Sequence, residues 1–306
     1  ALTRLEREHS QLDAVVILTP TPAHHDILLA CLEYPLPIIC EKAMVSSVTE
    51  AEEIQQRVDQ TNSSLYVTFN YTGYPMVREL RQRLLSGALG RIQQVMVEMP
   101  QEGFSRCRSD GSIALPQTWR RTDHSIPTVS LDLGVHAHQL VEFLTDKRAL
   151  DVYAVNSHFA RVPDVVDTVN IVSRYTDDVI CNYWYGKAAL GYRNGLRIRV
   201  FGTQGSTEWL QMEPEYLRMA DIHGNVSIID RTAADNTIAN QERYCRFKAG
   251  HPAGFIEAFA NYYCDLAAAL RGKKNEYAVG SDVALEGLAF LEQANKSALA
   301  QQKIVF

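Results

Sequence analysis

The sequence predicts an α/β protein in which a parallel sheet is followed by an α+β domain with a large, mostly antiparallel open sheet. Two observations support this fold class. Within residues 1–73 continuous apolar runs alternate with amphipathic helices, and after residue 90 one strand-like segment follows another. The chain has 306 residues, 46% of them hydrophobic, which is enough for two ordinary domains. We predict the domains to be 1–73 and 74–306.

Three apolar segments, residues 12–20, 36–40 and 64–70, have the composition of buried strands. Their apolar runs are continuous rather than alternating, and helix-like segments separate them. This pattern is typical of a parallel sheet covered on both faces. Ligands of open α/β sheets bind at the carboxyl ends of the strands, so polar residues that follow these segments are candidates for function.

Two helices are predicted between these strands. Thr21 can cap the first helix, and Pro22 suits its first position. Thr49 and Glu52 form a capping box for the second helix, which extends to about Val58.

The remainder of the chain predicts the large sheet and four more helices, one of them at residues 131–144. Strands are predicted at residues 91–99, 151–159, 167–175, 179–186, 196–202, 206–211, 215–221 and 225–230. Helices are predicted at residues 75–87, 255–271 and 282–300, the last capped by Ser281. We expect this last helix to pack back toward the first domain.

Composition excludes several classes of protein. The formal charge is −6, and no basic stripe could follow a nucleic acid backbone. No apolar run approaches the length of about 18 residues that a transmembrane helix requires, and no secretory signal is visible, so we predict a cytoplasmic protein. The cysteines form no CxxC pair and are predicted to be reduced, without zinc. They are Cys31, Cys40, Cys107, Cys181, Cys245 and Cys264.

The sequence lacks the glycine motif that binds a dinucleotide. Among its 17 glycines no two are separated by a single residue, so G-x-G-x-x-G is absent. The sequence also begins with Ala, and few residues precede its first strand. We therefore expect about 60 residues, the size of two βαβ units, upstream of this sequence.

Two groups of residues could carry chemistry. Lys42 follows the second strand, where its ammonium could stabilise charge on a substrate oxygen, although it could equally extend into solvent. Asp132 and His136 are four residues apart in a predicted helix spanning 131–144, so both can lie on one face. An imidazole can accept an alcohol proton near neutral pH. The alternative is an N-cap at Asp132 and a hydrogen-bonded core histidine.

Several segments resemble the Gfo/Idh/MocA family of glucose-fructose oxidoreductase and inositol dehydrogenase relatives. They are "DAVVILTPTPAHHDILLACLE", "CEKAMVSSVTEAEEI", "FNYTGYPMVRELRQRLLSGALGRI", "LDLGVHAHQL" and "NGLRIRVFGTQGSTEWLQ". Their order and spacing cover essentially the whole chain. The sequence differs from the family pattern at Ala43, where the family has proline, and at Thr72, where it often has arginine.

The resemblance implies part of a Rossmann domain, a C-terminal α/β domain and a set of site residues. Lys42, Asp132 and His136 match the catalytic positions, with Lys42 stabilising charge on oxygen and His136 transferring the proton. The implied cofactor-facing positions are Thr19, Pro20, Thr21, His24, Glu41, Lys42 and Asn70. Trp119, Arg120 and Arg121 could line the substrate pocket together with Lys42, Asp132 and His136, or could be a packed Trp beside an exposed pair of arginines.

The resemblance predicts an oxidoreductase that uses NAD or NADP and acts on a hydroxyl or carbonyl of a sugar, cyclitol or sugar derivative. No metal is expected, and the partner is a small sugar or polyol rather than nucleic acid or membrane. The wide sheet predicts a homo-oligomer, a dimer or a tetramer. The alternative is a non-catalytic carbohydrate-binding or oligomer-forming protein, because the phosphate-binding loop is absent from this sequence.

Overall fold

The computed structural model describes residue 5 and residues 8–248, 250–251, 253–273 and 275–306. The chain folds into a three-stranded parallel sheet and a nine-stranded, mostly antiparallel sheet, as the sequence predicts. One hydrophobic core extends through both parts and takes in both sheets and the helices packed on them. The domain boundary at residue 73 stays a prediction.

The parallel sheet has the order β1 (Val15–Ile17), β2 (Ile38–Glu41) and β3 (Leu65–Thr68). Two helices, α1 (His24–Cys31) and α2 (Val48–Thr61), connect these strands. All three strands run in the same direction, so their carboxyl ends lie at one edge of the sheet. This edge carries the candidate site.

The start of α1 differs from the sequence-based prediction. Thr21 does not cap the helix; it begins a 3-10 turn, Thr21–Ala23, and α1 starts at His24. The turn is closed by a hydrogen bond from the Ala23 N–H to the Pro20 carbonyl (2.9 Å). The chain therefore tightens before the α-helix begins, a common arrangement at helix ends.

The capping residues of α2 lie two positions before the predicted pair Thr49 and Glu52. The Ser47 hydroxyl accepts a hydrogen bond from the Glu50 N–H (3.3 Å), and the Glu50 carboxylate accepts one from the Ser46 N–H (2.8 Å). The prediction was wrong in position because the segment offers overlapping hydroxyl and carboxyl residues at the same spacing.

The large sheet has the order β11-β10-β9-β8-β4-β7-β6-β5-β12. Its strands are β4 (Ile92–Pro100), β5 (Ala149–Ser157), β6 (Thr168–Tyr175), β7 (Val179–Gly186), β8 (Arg197–Gly202), β9 (Gly205–Leu210), β10 (Tyr216–Asp221), β11 (Val226–Asp230) and β12 (Ile304–Val305). Only β4 and β7 pair in parallel. The edge strand β12 was not predicted, because two residues are too few for a periodic pattern.

Four further helices lie in the described part of the chain: α3 (Pro75–Leu85), α4 (Val135–Thr145), α5 (Phe255–Leu270) and α6 (Ser281–Ala300). The N-cap of α6 is Gly280 rather than the predicted Ser281, which is the first helical residue. The segment before α6 lies against β3, where the Val67 N–H donates to the Val279 carbonyl (2.9 Å). The last helix therefore lies beside the parallel sheet.

A π-helical turn, Ser130–Gly134, precedes α4 where the sequence predicts a regular helix from residue 131. The wider turn allows close packing on β7. The hydroxyls of Ser130 and Tyr185 are 2.8 Å apart, and a Cβ atom added to Gly134 would lie 2.9 Å from the Tyr185 hydroxyl. Such turns are frequent at functional sites.

All six cysteines have free thiols, and Cys31, Cys40 and Cys181 are buried. In the described part of the chain, no helix combines the length and the hydrophobicity needed to cross a bilayer.

Candidate active site

A cleft of about 310 Å³ lies at the carboxyl ends of β1 and β2, opposite the π-helical turn that precedes α4. Its lining residues come from four segments: Leu18, Thr19, Pro20 and Thr21 after β1; Glu41 and Lys42 at the end of β2; Gln117, Trp119 and Arg120 from the loop after β4; and Leu131 and Asp132 from the π-helical turn. Most of the predicted site residues therefore meet in one place.

Lys42 and Asp132, two of the predicted site residues, form an ion pair. The Lys42 ammonium donates to the Asp132 carboxylate oxygen Oδ1 (2.9 Å) and to the Asp132 main-chain carbonyl (2.8 Å). The two side chains are only 18% and 15% exposed, so solvent screens the pair weakly. Two bonds to one residue hold the ammonium in place at the floor of the cleft.

Two further cations contact the other carboxylate oxygen of Asp132. The Arg120 guanidinium lies 2.6 Å from Oδ2, and the Lys187 ammonium is in direct contact with the same atom. Arg120 comes from a 3-10 turn, Thr118–Arg121, and Lys187 follows directly after β7. Three segments that are distant in sequence thus converge on one carboxylate.

These contacts determine the charge of Asp132. Burial by itself would raise the pKa of this carboxyl group, but the positive charges of Lys42, Lys187 and Arg120 outweigh it and hold the pKa far below its usual range. Burial lowers the pKa of Lys187, while Asp132 opposes that change. Asp132 is therefore ionised at any pH at which the protein would act.

His136 is buried in the first turn of α4, one helical turn after Asp132. Its ring packs edge-on against Tyr71, with 4.7 Å between the ring centroids, and against Phe69. Its Nδ1 atom is buried and has no hydrogen-bond partner among the described residues. Burial lowers the pKa of His136 well below its usual value, and the charge of Lys42 lowers it further, against the opposite effect of Asp132. The neutral imidazole that results can accept a proton.

The turn after β1 is held in place by His24. This side chain is buried; its Nε2 lies 2.7 Å from the Thr19 carbonyl and its Nδ1 lies 2.9 Å from the Ala43 carbonyl. His24 therefore connects the turn after β1 to the turn after β2. Unlike Thr19 and Thr21, it does not line the cleft.

Asn70 and Glu41 lie at neighbouring strand ends. Asn70 begins a 3-10 turn after β3 and is 3% exposed, and its side-chain amide nitrogen has no hydrogen-bond partner among the described residues. Burial raises the pKa of Glu41, and Lys42 opposes this change. An unpartnered buried amide is costly, so its presence beside a ligand-binding edge is a sign of a missing partner.

Trp119 and Arg120 belong to an ordered loop. The Arg120 guanidinium stacks on the Trp119 ring, 4.4 Å from its centroid, and the Trp119 indole N–H donates to Gln117 (2.9 Å). Asp123 anchors the loop by accepting hydrogen bonds from the Thr128 N–H (2.8 Å) and the Val166 N–H (2.7 Å). Arg120 is therefore directed at Asp132 rather than into solvent.

Sequence reasoning did not identify two residues of the site, Lys187 and Tyr71. Nothing distinguishes Lys187 from other lysines except its place directly after β7, and that strand meets α4 only in the folded chain. Tyr71 was visible at a strand end next to Asn70, but its role as a wall of the His136 pocket depends on tertiary packing. The Tyr71 hydroxyl accepts a hydrogen bond from Asn194 (3.2 Å).

Two models of one protein family match the chain. The model described as the oxidoreductase family with an NAD-binding Rossmann fold matches residues 3–69, and the model of the GFO/IDH/MocA C-terminal domain matches residues 77–208. Together they cover most of the parallel sheet, the loop after β4, the π-helical turn, α4 and much of the large sheet.

Individual relatives agree with the family models. The uncharacterized oxidoreductase YfiI of Bacillus subtilis is 25% identical over 303 residues, which cover 94% of this chain and 76% of that protein. Myo-inositol dehydrogenase Hyg17 of Streptomyces leeuwenhoekii is 26% identical over 204 residues, which cover 64% of this chain and 57% of that protein.

Solved structures share the fold. An oxidoreductase from Sinorhizobium meliloti has a TM-score of 0.86 and 26% identity, and the match covers 99% of this chain and 83% of that one. An inositol dehydrogenase homolog from Azotobacter vinelandii, crystallised with NADH and myo-inositol, has a TM-score of 0.85 and 23% identity. The match covers 100% of this chain and 81% of that one. At this identity the second match shows the fold alone.

Proposed function

Because the chain belongs to the Gfo/Idh/MocA family of NAD-binding oxidoreductases, we propose that it is a cytoplasmic dehydrogenase of sugars, cyclitols or sugar derivatives. The reaction is hydride transfer between a nicotinamide cofactor and a carbinol or carbonyl carbon of the substrate. The observation that supports this proposal most is the ion pair of Lys42 with Asp132 at the carboxyl ends of the parallel strands, with His136 one helical turn after Asp132.

The residues at this edge fit a nicotinamide cofactor. The cleft is lined by Thr19, Thr21 and Glu41, and the buried Asn70 amide lacks a partner that a polar ligand could supply. We propose that these residues and Pro20 hold the nicotinamide end of NAD or NADP, with His24 fixing the turn behind them. The cofactor, once bound, supplies the hydride acceptor.

Three residues would act on the substrate. A hydride leaves a carbinol carbon only as the hydroxyl proton is removed, so a base and a cation must reach the same oxygen. We assign the base to His136, which is neutral because burial lowers its pKa. Lys42 stabilises the developing negative charge on oxygen, and Asp132 holds the Lys42 ammonium in position. In the reverse direction His136 returns the proton to the carbonyl oxygen.

Cofactor reduction tests this function directly. The purified protein is incubated with NAD⁺ or NADP⁺ and a panel of sugars, inositols and sugar derivatives, and nicotinamide absorbance is followed. We expect at least one member of the panel to reduce one cofactor. If no member does so while a control dehydrogenase responds in the same buffers, the proposal fails. Comparison of the two cofactors also decides between NAD and NADP.

A further inference from the structure

We propose that the substrate carries an anionic group, a carboxylate or a phosphate, and that Arg120 and Lys187 bind it. This inference rests on the proposed function and names the substrate class of the same site. It comes from the arrangement of charge around Asp132, where three cations surround one carboxylate.

The positive charges in the site exceed the negative ones. Lys42 interacts with two carboxylates, since it pairs with Asp132 and its charge also acts on Glu41. Arg120 and Lys187 share the single oxygen Oδ2 of Asp132, and neither forms an ion pair with any other acid in the described ranges. The site therefore keeps an excess of positive charge, although the protein as a whole has a formal charge of −6. A positive cleft in an acidic protein attracts anions.

Both cations retain unused hydrogen-bond donors. A guanidinium has five N–H groups and an ammonium has three, and each of these side chains uses a donor on Asp132. No other acceptor for the Arg120 guanidinium or the Lys187 ammonium is found among the described residues. The planar fork of an arginine suits the two oxygens of a carboxylate or phosphate.

The surroundings keep these two cations in place and out of bulk water. The side chains of Arg120 and Lys187 are 25% and 11% exposed. The Trp119 ring supports the guanidinium, and the Phe104 ring lies 5.4 Å from the Lys187 ammonium. Because these two partly buried cations share one carboxylate oxygen, their positive charge is only partly balanced, and an anionic ligand would gain from binding here.

The two carboxylate oxygens of Asp132 face different cations. Oδ1 faces Lys42, the residue assigned to the alkoxide, whereas Oδ2 faces Arg120 and Lys187. A substrate could therefore place its hydroxyl by Lys42 and its anionic group on the far side of Asp132. In the competing explanation, Arg120 and Lys187 serve only to hold Asp132, and then their loss would affect neutral and anionic substrates equally.

The test compares matched substrates and variants. For the wild-type protein, kcat/KM and calorimetric Kd are measured for D-glucuronate against D-glucose and D-galacturonate against D-galactose. D-glucose 6-phosphate is also compared with D-glucose, to test whether the site binds a phosphate. The variants are Arg120→Gln and Lys187→Gln. Arg121→Gln is the control, because Arg121 is exposed in the same turn and forms no ion pair in the described part of the chain.

We expect an anionic compound to be preferred over its neutral partner by about tenfold or more, the effect of one charged hydrogen bond. Arg120→Gln and Lys187→Gln should each reduce this preference by a similar factor, and Arg121→Gln should leave it within about twofold. Comparison of the uronates with D-glucose 6-phosphate identifies whether the site binds a carboxylate or a phosphate.

Three outcomes distinguish this inference from the proposed function. Turnover that favours the neutral partner, or a preference unchanged in both Arg120→Gln and Lys187→Gln, overturns the anion subsite and leaves the dehydrogenase intact. Binding of an anionic compound that depends on Lys187, without turnover of any compound, supports the subsite and contradicts the dehydrogenase. Neither binding nor turnover of the anionic compounds overturns the subsite.

Discussion

Asp132 is the residue that organises the candidate site. Its carboxylate contacts Lys42, Arg120 and Lys187, and its backbone carbonyl accepts a second bond from Lys42. The charge of Lys42 also acts on His136, where it favours the neutral ring. The roles proposed for His136 and Lys42 are therefore coupled electrostatically through a few partly buried side chains.

The pH dependence of oxidation should report the environment of His136. Burial and Lys42 place the pKa of His136 well below 6.5, so the imidazole stays neutral as the pH falls through that value. We predict that kcat/KM for oxidation stays constant across pH 6.5 and decreases only at lower pH. The measurement is a pH profile with a substrate that does not titrate in this range. A kcat/KM that already decreases at or above pH 6.5 as the pH falls would contradict the lowered pKa of His136.

The residues to which we assign catalytic roles could be selected as candidates from the sequence because they follow local signals. Lys42 directly follows a buried strand, and Asp132 and His136 have helical spacing. Lys187 carries no such signal, since it joins the site only after β7 has paired in the large sheet beside α4. Arg120 was visible as a candidate, but its contact with Asp132 depends on the fold of the loop that Asp123 anchors.

Helix α5 depends on a glycine that permits close packing. A Cβ atom added to Gly73 would lie 1.9 Å from the Ala258 carbonyl oxygen, and Asn261 donates to the Gly73 carbonyl (2.9 Å). We predict that Gly73→Ala lowers the free energy of unfolding by several kcal/mol, on the order of the cost of overpacking a core. The measurement is the thermal midpoint.

The control for this substitution is Gly103→Ala. An added Cβ atom at Gly103 meets no atom within 4 Å, so this variant should melt within about two degrees of the wild type. Equal thermal midpoints for Gly73→Ala and Gly103→Ala would show that α5 does not approach Gly73 as closely as it does in this structure.

Helix α4 contains a second buried acid, Glu142, away from the cleft. Burial and the nearby Glu286 raise its pKa to about 8, against the effect of Arg148. A carboxyl group with a raised pKa binds its proton more tightly in the folded state, so its contribution to stability is full below about pH 4.5 and is lost as the pH rises through about 8.

Glu142→Gln replaces this ionisable carboxyl group by a neutral amide. We predict that the variant is more stable than the wild type at about pH 8, by on the order of 1–3 kcal/mol, and that the difference disappears near pH 5. Chemical denaturation at both pH values measures it. A difference that does not change with pH would mean that Glu142 is ionised in the folded protein throughout.

Helices and strands were predicted more accurately than their ends. The eight predicted strands of the large sheet all form, because each has a clear apolar pattern. Caps at Thr21, Thr49 and Ser281 were misplaced. Near Thr49 the neighbouring Ser47 offers the same hydroxyl group, whereas the N-caps of α1 and α6, Ala23 and Gly280, make no side-chain hydrogen bond. The π-helical turn before α4 could not be predicted, because it depends on the packing of Gly134 against Tyr185.

The large sheet carries a small apolar patch on its outer face, beside the exposed Asn170 and Arg174. Tyr153 on β5 pairs with Val172 on β6, and both are nearly half exposed, as is Val155. Exposed apolar patches on sheets commonly bind other chains. We predict a homo-oligomer whose mass by light scattering at micromolar concentration is a multiple of the monomer mass, and Tyr153→Lys should reduce it. A monomer mass for the wild type would exclude this assembly.

In the proposed dehydrogenase reaction, His136 accepts the substrate proton. The most direct test compares cofactor reduction by the wild type, His136→Asn and, as a control, His124→Asn at an exposed position in the loop before the site. We predict that kcat falls by about 10²–10⁴-fold in His136→Asn, the usual contribution of a general base, while His124→Asn retains wild-type activity. A folded His136→Asn protein with undiminished kcat would contradict the account.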